Sequence, residues 1–110
     1  MNALGFSEPP TVLIRLRLVT QDQVRYLQML AQVSALLPKR YGAHYSELMA
    51  AVIMAKWIEH EERAERIRLD RFTREAIARQ ARQCEDLLGD RIDDVHHILE
   101  NLYTQGVISA

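Results

Sequence analysis

The sequence predicts a mainly helical chain led by a single N-terminal β-strand. Thr11 to Leu18 is the one segment that alternates like a strand, with Val12, Ile14, Leu16 and Leu18 on one face and Thr11, Leu13, Arg15 and Arg17 on the other. After it, apolar residues recur at spacings of three and four, and prolines and glycines cut the pattern into about four helices. A lone strand cannot satisfy its own backbone donors and acceptors. Its simplest partner is the same strand of a second copy, so the expectation is an antiparallel ribbon shared between two subunits.

The elements follow in order. Residues 1–10 hold Gly5, Ser7 and the pair Pro9-Pro10 without periodicity, which predicts a mobile arm that the prolines keep out of the strand. Thr20 with Gln23 three residues on has the spacing of a helix N-terminus. The stripe Val24, Leu27, Leu30, Val33 and Leu37 then predicts a first helix that Pro38 stops, with Arg25 on its solvated side. Pro38 to Ala43 reads as a loop. A second helix is expected from His44 to Ser46 onward, and its density of Leu48, Met49, Val52, Ile53, Met54, Trp57 and Ile58 suits burial on most of its circumference.

Residues 59–72 are mostly charged, and Glu59 with Arg63 and Glu62 with Arg66 stand in the favourable i, i+4 order, which predicts that the second helix runs on through them. Thr73 is the expected cap of a third helix carrying Ile77, Ala81, Cys84, Leu87 and Leu88, ended by Gly89 in a left-handed cap. Asp90 is the expected cap of a fourth, striped by Ile92, Val95, Ile98, Leu99 and Leu102 and closed at Gly106 with Val107 packing back. This hairpin, residues 73–110, is too small to own a core. It is expected to pack on the preceding part or on another subunit, where it supports assembly or contacts a protein partner.

Composition narrows the function. The net charge of −1 hides an asymmetry: residues 1–45 carry five basic and two acidic groups, and residues 46–110 carry nine basic and thirteen acidic. The basic half holds the strand, which favours a polyanionic partner there. No run is apolar and long enough to span a bilayer, no leader pattern opens the chain, and the single Cys84 fits a reducing compartment, so a cytoplasmic protein is expected.

Signals for catalysis are poor. His60-Glu61-Glu62 lacks the second histidine of a zinc-protease helix, and the adjacent His96 and His97 point about 100° apart and do not chelate one ion readily. Cys84 reads as a small core residue. No catalytic residue, metal ligand or cofactor is expected, and the chain reads as a non-enzyme.

The order of strand, helix, basic glycine-containing loop and very apolar helix over residues 11–58 resembles the ribbon-helix-helix, or MetJ/Arc, family of DNA-binding proteins. The resemblance implies a homodimer that reads the major groove of double-stranded DNA, with Leu13, Arg15 and Arg17 in the base-contacting positions. It also implies phosphate contacts from Gly42, Ala43, His44 and Tyr45 at the start of the second helix, with the loop cations Lys39 and Arg40 beside them. Leu13 departs from the pattern, being apolar where the family usually has a polar reader. With its helical tail the layout is also similar to plasmid relaxosome accessory and segregation proteins, some of which assemble as tetramers. The expectation is a transcriptional regulator such as a repressor; the alternatives are an accessory protein of plasmid conjugation or segregation, and a helical interaction or inhibitor module that does not bind DNA.

Overall fold

A computed structural model describes residues 20–108 of the chain. They form four helices: α1 (Thr20–Leu36), α2 (Gly42–Arg63), α3 (Arg71–Leu88) and α4 (Ile92–Thr104). Short 3-10 turns at Lys39–Tyr41 and Gly89–Arg91 lead into α2 and α4. There is no β-strand among the described residues, so the strand-led ribbon fold is corrected to a bundle of helices. The physical reason lies in α2. Every residue from Leu48 to Met54 is buried, which means that all sides of the helix are covered. The cover comes from α1, α3 and α4 of the same chain. The arm at 1–10 and the segment 11–18, with Leu13, Arg15 and Arg17, lie outside the described residues.

Around α2 the expected stripes are partly redrawn. In α1 the inward face is Leu30, Val33 and Leu37 with Tyr26 and Met29 beside them, whereas Val24 and Leu27, expected in the core, are about half exposed. Six residues at 100° each place Val24 some 240° from Leu30, so the five positions cannot share one narrow face. Burial pushes the Tyr26 hydroxyl well above the usual tyrosine range. In α3, Cys84 and Leu88 are buried as expected, joined by Thr73, while Leu87 is 63% exposed. In α4, Val95 and Leu102 are buried, with Ile92, Ile98 and Leu99 packed at the margin.

The largest difference between pattern and structure is the end of α2. The helix stops at Arg63, and the charged stretch expected to continue it turns a corner instead. Glu65 takes φ 61, the Arg66 N–H donates to the Glu61 carbonyl at 2.8 Å, and the Glu65 N–H donates to the Glu62 carbonyl at 3.0 Å. This is a Schellman closure with glutamate in the left-handed position. It swings Ile67 into the core, where it is buried. Asp70, not Thr73, then caps α3, accepting from the Thr73 N–H at 2.7 Å. Nor does Asp90 cap α4, whose entry is the 3-10 turn Gly89–Arg91. Gly106, at φ 74, closes α4 in the expected left-handed conformation. Val107 donates to the Leu102 carbonyl at 2.9 Å, and Ile108 is carried back into the core.

Ion pairs tie the corner down. Arg25, expected to be merely solvated, lies against Trp57 at 5.9 Å from the ring centroid and pairs with Glu61. Arg66 pairs with the other oxygen of Glu61 at 2.6 Å, and not with Glu62. Glu62 instead takes Arg74 of α3 at 2.6 Å, and that hydrogen bond holds its carboxyl below the usual range. The expected Glu59–Arg63 pair forms at 2.7 Å.

Candidate functional site

The positions assigned to phosphate binding are gathered at the N-terminal end of α2. Pro38 starts the 3-10 turn that carries Lys39 and Arg40, both exposed, and Gly42 leaves that turn at φ 73 as the first residue of α2. A left-handed φ is strained for any residue with a Cβ, so glycine is the residue that allows the turn to pass directly into the helix. Ala43 and His44 follow on the exposed side, while Tyr45 packs against the core. No side chain caps α2 and no acidic residue stands in its first turn, which leaves the positive end of its dipole uncompensated locally.

One residue of this surface is invisible in the local pattern. Arg91, from the turn before α4, sets its guanidinium 4.3 Å from the Tyr45 ring centroid and 5.9 Å from that of Tyr41. Arg40 lies over the other ring of the pair, 4.9 Å from the Tyr41 centroid, and donates to the Tyr41 hydroxyl at 3.1 Å. His44 meets Tyr45 edge-on with centroids 5.5 Å apart. The result is a cluster of stacked cations and tyrosines. Such stacking orients guanidinium groups while leaving their N–H edges open. Neither Lys39, Arg40 nor Arg91 has a carboxylate partner among the described residues, although Asp93 and Asp94 in the first turn of α4 limit the reach of the positive field.

A second surface is the outward side of α1. Val24 is 49% and Leu27 51% exposed, and Ala31 and Ala35 continue the same row one and two turns on. The two charges of this helix, Asp22 and Arg25, lie within 3.6 Å of each other, so none is left over for a partner to meet.

Among the described residues no group of His, Cys, Asp and Glu is arranged to hold a metal ion, and no helix is long and apolar enough to cross a membrane. Burial, with a smaller contribution from Glu85, pushes the Cys84 thiol up, so its environment disfavours the thiolate.

Comparison with protein-family models, curated proteins and solved structures gives no match.

Proposed function

We propose that the chain is a helical interaction module that pairs reversibly with a second copy of itself through the outward face of α1. The observation that carries this reading is the apolar row of exposed Val24, Leu27 and Ala35 with half-buried Ala31 between them, on a helix that has no unpaired charge. The row is large at its N-terminal end and small at its C-terminal end. Two copies laid antiparallel therefore set large against small, the arrangement in which facing side chains interdigitate. The α1 rod is about 25 Å long and presents a strip roughly 10 Å wide. That area is well below the ~800 Å² per partner of a stable interface, so the pairing is weak and dynamic. The lone, buried Cys84 accords with a reducing, cytoplasmic setting for such a module.

Sedimentation equilibrium over micromolar to millimolar concentrations tests the reading. The unmodified chain rises from monomer toward dimer mass, and Leu27→Lys, at an exposed position, keeps the helical circular dichroism but stays monomeric. A concentration-independent monomer, or a dimer indifferent to Leu27→Lys, overturns it.

A second reading, contact with the phosphates of double-stranded DNA in a regulatory or plasmid-transfer role, is favoured by the unpaired cations Lys39, Arg40 and Arg91 beside the uncapped start of α2. Under it, binding weakens steeply with salt, and replacing all three cations with alanine weakens specific and random duplexes alike. Salt-insensitive binding, or no binding at low salt, removes this reading.

A further inference from the structure

A cleft of about 430 Å³ opens between α2 and α3, on a side of α2 distinct from α1. Its buried and half-buried apolar lining is Ala55 and Ile58 from α2, Ile77 and Ala81 from α3, and Leu69 from the segment between them. Small residues on both helices keep it open. The size is that of a small-molecule pocket.

The charges on its rim are not equivalent. Glu62 is taken up by Arg74 at 2.6 Å and Glu59 by Arg63 at 2.7 Å, which neutralises both carboxylates. Lys56 and Arg82 have no acidic partner among the described residues, and Glu85, the remaining lining charge, has no cationic one. The lining itself holds three cations and three carboxylates, and because Arg63 pairs with Glu59 from outside the cleft, the charge left without an ion-pair partner is two cations against one anion. An apolar trough with surplus positive charge at its edge complements a molecule that is apolar along its length and anionic at one end.

We infer that the α2–α3 cleft is a binding site for a small hydrophobic carboxylate, such as a medium-chain acyl anion, with the tail against Ile58, Ile77 and Ala81 and the carboxylate at Lys56 and Arg82. The inference is independent of self-association through α1, because the two surfaces share no residue.

Titration calorimetry of the full chain with hexanoate, octanoate and decanoate, below their micellar concentrations, tests it, with 1-octanol as the neutral comparison. Affinity should rise about fourfold per added methylene until the cleft is filled. The double variant Lys56→Met with Arg82→Met, both exposed positions, should lose at least tenfold in affinity for octanoate while binding octanol unchanged. Ala81→Phe, which fills the trough, should abolish binding of both. Equal affinity for octanoate and octanol, indifference to the cation replacements, or undiminished binding by a folded Ala81→Phe chain each overturns the assignment. So does a trough found to be closed by a second copy, seen as a dimer that Ala81→Phe dissociates.

Discussion

Arg25 of α1 reaches across 36 residues of sequence to the carboxylate of Glu61, the one buried acidic residue among those described. The guanidinium also donates to the Arg66 carbonyl at 3.2 Å, and Arg66 donates to the second oxygen of Glu61 at 2.6 Å. Two cations therefore share one desolvated anion at the point where α1, the end of α2 and the connector meet. Removing Glu61 leaves Arg66 without its carboxylate and Arg25 with only the longer, 3.6 Å contact to Asp22.

Glu61→Ala is accordingly expected to lower stability by about 2 kcal/mol, less than breaking a fully buried pair costs, because Arg25 and Arg66 keep partial contact with water. Arg25→Ala should cost less, since Arg66 still satisfies Glu61. Urea unfolding followed by circular dichroism checks the order; a larger loss from Arg25→Ala would place the energy in its packing on Trp57 and not in the ion pair.

Glu65 closes α2 from a left-handed conformation that costs a side-chain-bearing residue about 1–2 kcal/mol. Glu65→Gly should therefore raise stability by roughly 0.5–1 kcal/mol after the added freedom of the unfolded chain is counted. Glu65→Ala, which keeps a Cβ, should bring no such gain. Thermal melts of the three chains at one pH decide the matter.

The same corner explains how far the sequence could be read. The ends of α1 and α4 are legible because Pro38 and Gly106 have no good alternative role, and the apolar density of Leu48 to Ile58 rightly marks a helix buried on most of its circumference. The end of α2 was not legible, because Glu65 does there what Gly106 does for α4 and carries no compositional mark. Helical i, i+4 spacing of Glu62 and Arg66 argued for continuation, yet the folded chain gives those side chains to Arg74 and Glu61. At the candidate site, Lys39, Arg40 and Gly42 announced a basic turn before a helix. Arg91 was missed because its place beside Tyr45 depends on how α4 docks, which no local spacing encodes.

The Glu62–Arg74 pair gives stability a pH dependence. Because its folded carboxyl lies below the usual range, its contribution is fully present above the ordinary carboxylate value and fades as pH falls through the lowered folded value. The melting temperature of the unmodified chain should exceed that of Glu62→Gln near neutrality, and the gap should close in acid. A gap that persists at pH 2 would assign the effect to packing.

Cys84 is buried and its thiol is pushed up, so a disulfide exchange reagent at pH 7–8 should modify the folded chain slowly and the urea-unfolded chain at once. Rapid modification without denaturant would mean that α3 opens readily from α2.

The covering of α2 by three other helices of its own chain bears on how the molecule comes apart. The sequence sets residues 73–110 apart as a hairpin, and a cut after Ile67 would separate it from the part before. In the bundle such a cut strips α3 and α4 from α2 and uncovers part of its buried surface. Loss of the tail is then loss of the whole, and the described helices should melt as one cooperative unit, with the slowest-exchanging amides along the middle of α2.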